Sequence, residues 1–214
     1  MSSLGGYDDG YDASPCFWGR EPSSLVRRLI DASRDVSRWS ILDAGCGEGK
    51  NAIFLSRLGA KVRAIDVSAA AIRNARRAWE DEAKVTWEVA DIRSVAHPPQ
   101  GYDLVIAYGM LHCLPNEAAI QDAIRTLQRV TRPGGYDIIC AFNNRSQDLA
   151  AHPSLHPTLL SHDQYLAAYS SWRIIEESDR DLSETHPTND IPHTHSMTRL
   201  IARRSSDGDS MRTQ

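Results

Sequence analysis

The stretch that most constrains this chain is Ile41-Leu-Asp-Ala-Gly-Cys-Gly-Glu-Gly49. A short apolar run ends in Asp43, and glycines then fall at every second position, Gly45, Gly47 and Gly49. A helical pattern follows from Asn51 to Leu58. The reading is strand, tight turn, helix. Glycine is wanted where backbone takes positive φ or passes close to a ligand. The helix behind it offers unpaired N–H groups and the positive end of its dipole. Such a turn cradles a polar small molecule against bare backbone.

The rest of the chain repeats the alternation. Strands are expected over 39–43, 61–66, 84–90, 102–108 and 136–142, with helices over 25–33, 51–57, 69–82 and 116–130. Further strand candidates are 172–181 and 196–203, and Ser161 or His162 opens a helix toward Tyr169. Strands alternating with helices predict an α/β domain with a mainly parallel, helix-covered sheet. At 214 residues the chain suits one such domain. The expected division is a flexible segment over 1–14, a candidate lid carrying Tyr7 and Tyr11; a domain over 15–204; and a flexible tail over 205–214.

Composition excludes more than it assigns. A net charge of -4 and a pI of about 6.0 leave no basic footprint for nucleic acid. No apolar run reaches membrane-span length, and the N-terminus has no signal-peptide pattern. The four cysteines, Cys16, Cys46, Cys113 and Cys140, have neither zinc-ligand spacing nor a disulfide framework. The expectation is a cytoplasmic monomer or homodimer acting on a small molecule.

Dinucleotide binding requires G-x-G-x-x-G, whereas here the glycines alternate behind an acid. Asp43 suits a ligand ammonium, received directly or through water. Asp66 ends the next strand, where an acid hydrogen-bonds ribose. Asp91, with Ile92 beside it, offers an acceptor for an exocyclic amine and an apolar face for a purine. Three acids at successive strand ends lie on the carboxyl edge, where open α/β sheets bind ligands. A ligand with an α-amino group, a ribose and an adenine is S-adenosylmethionine (SAM).

These residues, with Ala64-Ile65-Asp66-Val67-Ser68, Tyr102-Asp103-Leu104-Val105 and Arg132-Pro133-Gly134-Gly135, resemble those of class I SAM-dependent methyltransferases. Phe17-Trp18-Gly19-Arg20-Glu21-Pro22 and Arg199-Leu200-Ile201-Ala202-Arg203 make the chain similar to the tellurite-resistance-type (TehB-like) members. The resemblance implies a Rossmann-like methyltransferase fold: a seven-stranded, mostly parallel sheet, an antiparallel last strand, and helices on both faces. It implies a cofactor site of Tyr11, Trp18, Arg20, Asp43, Gly45, Cys46, Gly47, Gly49, Asn51, Asp66, Val67, Asp91, Ile92, Tyr108 and Gly109, with S-adenosylhomocysteine as product. His186 matches a family histidine by position, but Pro187 follows it where the family has arginine, which counts against an oxyanion acceptor.

Catalytic candidates are Tyr11, His112, His186, His193 and His195. Histidines at i and i+2 of an extended segment face the same way. Three readings stay open for the C-terminal group: polar loop histidines facing water, a substrate-facing acid/base wall, or a metal site, for which no carboxylate or cysteine is evident. No metal is assigned. Tyr7, Tyr11 and Trp18 are placed to close over the sulfonium, and Asn143, Asn144 and Arg145 to line the substrate side. The expected reaction is in-line methyl transfer to a small S, N, O or chalcogen nucleophile. The alternatives are intramolecular cyclisation of SAM with methylthioadenosine release, and a non-catalytic SAM-binding module.

Overall fold

The structure, a computed structural model, describes residues 7–33, 35–81, 84–152, 154–185 and 190–206. One seven-stranded sheet runs in the order β3-β2-β1-β4-β5-β7-β6. Its strands are β1 (Ser40–Ala44), β2 (Lys61–Asp66), β3 (Val85–Val89), β4 (Tyr102–Tyr108), β5 (Thr131–Gln147), β6 (Arg173–Glu184) and β7 (His193–Arg203). The first five pair parallel, and β7 lies antiparallel between β5 and β6. The expected Rossmann-like sheet with an antiparallel last strand is therefore present.

The unbroken apolar run of β4 puts it at the sheet centre, buried from Tyr102 to Ala107. Alternation of side chains then divides the core. Ile41, Leu104, Ile106 and Ile138 face helices α2 (Ser24–Asp31), α3 (Lys50–Arg57) and α4 (Ala69–Ala78). Leu42, Val105, Ala107 and Ile139 face α5 (Glu117–Val130) and α6 (His162–Ala168). The α5 stripe of Ile120, Ile124, Leu127 and Val130 is buried, each side chain contributing about 1.5–3 kcal/mol. Asn116 caps that helix by accepting from Ala119 N–H, and Ser161 closes a capping box on α6.

Some boundaries differ from the sequence reading. Helix α4 stops at Ala78, short of 82, because Trp79 turns inward and its Nε1 donates to the Glu48 carbonyl at 2.8 Å. Strands β5, β6 and β7 reach further into polar sequence than apolar alternation predicts. Glu184 pairs with His193, Leu182 with His195, and Gln147 with His195, so backbone pairing on both sides of β7 carries the extension. Near the N-terminus, α1 (Asp8–Ala13) is a short helix with Tyr11 buried.

Candidate cofactor and acceptor site

The loop after β1 is built as its glycines require. Gly45 and Gly47 have φ of 66° and 53°, a region costly for residues with a Cβ. A Cβ on Gly45 would lie 2.4 Å from Met110 Cβ, and one on Gly47 would lie 3.0 Å from the Tyr11 hydroxyl. Gly45 N–H and Cys46 N–H donate to the Ile65 carbonyl at 2.8 and 3.0 Å. Asp66 accepts from Gly47 N–H and Ser68 N–H, both at 2.8 Å. The acid ending β2 thus fixes the loop as well as facing the ligand space.

Asp43 lies beneath this loop, 1% exposed. Burial pushes its carboxyl up to about 7, with the Asp66 charge adding to the rise and the Ala52 N–H and Lys50 opposing it. Among the described residues its Oδ2 has no hydrogen-bond partner. That orphan fits a cationic ligand group, or the water that carries it. Asp91 is held low by the Arg93 guanidinium, whose Nε and terminal nitrogen reach both carboxylate oxygens. Ile92 is buried next to it.

An N-terminal strap crosses the loop. Glu48 accepts from Cys16 N–H at 2.8 Å and Phe17 N–H at 2.6 Å, and Asn74 Nδ2 donates to both Glu48 and the Tyr11 carbonyl. Lys50 donates to the Trp18 carbonyl, and Asn51 Oδ1 accepts from Ser23 N–H. Asp8 meets the Ser68 hydroxyl at 2.5 Å. Tyr7 packs edge-on to Trp18 at 5.0 Å, and Trp18 Nε1 donates to the Tyr11 hydroxyl.

Strap and sheet edge enclose a cavity of about 410 Å³. Gly45, Cys46, Gly47, Gly49, Asn51, Asp66 and Val67 line it on one side; Asp91, Ile92, Tyr108, Gly109 and His112 on others; Tyr11 and Trp18 cover it. Arg20 is not on the wall: its guanidinium lies 4.8 Å over the Trp79 ring. Asp43, His193 and His195 do not line it either. Asn143 and Arg145 turn away, toward Asp179, with Arg145 also on Asp181. His186 lies outside the described residues.

His112 is fully enclosed and pushed down to about 3, by burial and then by His195 and His152. Its Nδ1 accepts from Phe142 N–H at 3.2 Å, so the tautomer assigned from the network places the proton on Nε2, 3.3 Å from the Tyr7 hydroxyl. It offers the cavity an N–H, not a basic lone pair. His193 and His195 are not loop histidines facing water, as one reading of the sequence had it. They stand in β7, 3% and 0% exposed, because β5 and β6 pair on both sides of it.

Sequence reasoning missed Lys50 and Glu184, which also line the cavity. Lys50 follows the last loop glycine directly, which was a usable signal. Glu184 becomes visible only through strand register. All four cysteines are unbridged, and burial pushes the thiols of Cys46 and Cys113 up, the latter to about 12.

Residues 41–135 match a family model described as a methyltransferase domain. The probable S-adenosyl-L-methionine-dependent methyltransferase TehB of Haemophilus influenzae (strain 10810) is 26% identical over 163 residues, 76% of this chain and 55% of that one. The chain spans about half the length of the curated relatives it matches. The crystal structure of TehB from Haemophilus influenzae superposes with a TM-score of 0.72 at 20% identity, over 86% of this chain and 62% of that chain. A structure from work on conversion of a disulfide bond into a thioacetal group during echinomycin biosynthesis also gives 0.72, at 24% identity, over 98% and 95%. Sheet order, glycine loop and acidic strand ends define a class I SAM-dependent methyltransferase domain, whose cofactor is SAM. Within that class the chain is TehB-like.

Proposed function

We propose that this chain transfers the methyl group of SAM to a small-molecule nucleophile by in-line displacement, with sulfur as the favoured acceptor atom. The observation that carries the reading is one covered cavity that joins the glycine loop to Phe142, Leu182, Glu184 and Met197. Its cover supports a small acceptor over a polymer.

SAM supplies a methyl already activated by the sulfonium, so the chain's residues act mainly by positioning and by excluding water. The bare backbone of Gly45 and Gly47 holds the aminoacyl end, with Asp43 beneath the wall reaching it through water, Asp66 holds the ribose, and Asp91 with Ile92 the adenine. Tyr7, Tyr11 and Trp18 close over the sulfonium. His112 fixes the Tyr7 hydroxyl through its Nε2–H.

Support for a sulfur acceptor comes from the weak basicity of the groups beside the cofactor loop. The His112 lone pair accepts from Phe142 N–H, and burial raises Tyr7 and Tyr11 well above 10. A soft nucleophile needs no strong base. The structural neighbour from disulfide-to-thioacetal chemistry, matched over nearly its whole length, points the same way.

The test is mass spectrometry of SAM incubated with enzyme and a panel of thiols, thioethers, amines and phenols. Methylated thiol together with S-adenosylhomocysteine is the expected result. Methylthioadenosine formed from SAM alone would replace this reading with cyclisation.

A further inference from the structure

We propose that His152, Glu184, His193 and His195 bind one divalent transition-metal ion, with zinc the best match, at the acceptor end of the cavity. One ligand atom from each lies within 4.8 Å of all the others. His152 Nε2 donates to His193 Nε2 at 3.1 Å, a proton that an ion would displace, and Glu184 Oε1 is 3.7 Å from His193 Nε2 and 4.0 Å from His195 Nε2. A tetrahedral ion with bonds of 2.0–2.1 Å holds its ligand atoms about 3.4 Å apart. The three measured separations bracket that value. The two Glu184 contacts are longer than hydrogen bonds and shorten when an ion draws the ligands in.

The ligands come from separate segments that the sheet brings together. His193 and His195 occupy positions i and i+2 of β7 and share a face. Hairpin register sets Glu184 opposite His193. His152 arrives from the turn after β5, held by its N–H on the Leu149 carbonyl. This supplies the carboxylate that the sequence pattern lacks.

The surroundings orient the imidazoles. His193 Nδ1 donates to the Ile191 carbonyl at 2.8 Å, and His195 Nδ1 to Gln147 Oε1 at 2.9 Å. Gln147 is itself fixed, since its Nε2 donates to the carbonyls of Asn143 and Ser196. Protons on both Nδ1 atoms turn the Nε2 lone pairs toward the cluster, the arrangement metal-binding histidines require. Imidazole-rich sites suit zinc and its first-row neighbours, whereas magnesium and calcium take oxygen ligands.

The site adjoins the cavity. Glu184, Leu182 and Phe142 line that wall, and His195 stacks on Phe142 at 4.1 Å. On the methyl-transfer reading, an acceptor thiol would reach the ion by displacing the Glu184 carboxylate or as a fifth ligand; the ion would lower its pKa, and the proton would leave to solvent. The thiolate then bonds to the methyl carbon. The sulfonium carbon–sulfur bond breaks, and its electron pair stays on the neutral thioether product.

The test strips the full chain with chelator and titrates it with zinc and with cobalt(II), read by calorimetry and visible absorption. One equivalent of either ion is expected, with cobalt bands typical of low coordination. Affinity falls at least 100-fold in His193→Ala and about tenfold in Glu184→Gln. SAM binding, measured separately, reports folding of each variant. If His193→Ala loses it, His152→Ala, in the turn outside the sheet, decides. No stoichiometric binding, or binding unchanged in His152→Ala, overturns the proposal. Metal binding without methyl transfer sinks only the functional reading, and methyl transfer by a protein that binds no metal sinks only this one.

Discussion

At residue scale the decisive group is Asp43, whose carboxyl burial raises to about 7. Its folded pKa lies above its unfolded value, so between about pH 4 and 7 the native state holds a proton that the unfolded state has lost. This group's contribution to stability therefore falls as pH rises across that window, by roughly 4 kcal/mol. Asp137, also raised to about 7 by burial, adds to the same slope. Asp43→Asn is expected to raise the melting temperature at pH 8, with little change near pH 4, while SAM affinity drops; differential scanning calorimetry and titration calorimetry read both. In the unaltered protein SAM binding should weaken as pH falls below 7, up to tenfold per unit, as the carboxylate protonates. Gly47→Ala puts a methyl against the Tyr11 hydroxyl at a φ of 53°; SAM binding should fall at least tenfold in calorimetry.

At element scale the strap carries the next prediction. Glu48 accepts two strap N–H groups and an Asn74 amide while buried. Hydrogen bonds to a charged acceptor contribute about 1.5–3 kcal/mol each. Glu48→Gln keeps the shape but weakens the acceptor. Faster amide hydrogen exchange over residues 14–18 is the expected outcome, with a raised KM for SAM and a smaller change in the α5 amides. Elements were legible where one period ran unbroken. The Tyr102–Tyr108 run and the α5 stripe could be placed by their own residues, and the loop's alternate glycines announced its backbone. The ends of β6 and β7 could not, because Ser183-Glu184 and His193-Thr-His-Ser196 are polar on both faces and Leu182 stands alone between polar neighbours. Only cross-strand register, a non-local quantity, makes them strand and buries the two histidines. The same is true of the candidate site: the proposed cofactor residues sit at strand ends that local pattern locates, while Glu184 reaches the cavity's far end through long-range pairing and His152 joins it from a distant turn.

At the scale of the whole molecule the sheet divides labour along its width. On the proposed function, strands β1 to β4 and their loops form the cofactor half and β5 to β7 the acceptor half, with Phe142 and Met197 from the second half completing the cavity. The two halves share one core face through Ile106, Ile138 and Ile201. Damage to either should therefore be felt globally. Ile138→Ala, at a fully buried position between them, should cost about 2–5 kcal/mol, read as a lower urea midpoint in a single transition by both fluorescence and circular dichroism.

The strap has a kinetic consequence. Tyr7, Asp8, Tyr11 and Trp18 cover the same cavity that the glycine loop floors, and three backbone anchors tie the strap to that floor. On the proposed function, spent cofactor is expected to leave as those ties part, a motion of the kind that commonly limits turnover. The expected order of addition is SAM first, then settling of the strap, then the acceptor from the β7 side. A rapid-quench time course should show one fast turnover per active site, then a slower steady phase that solvent viscosity retards.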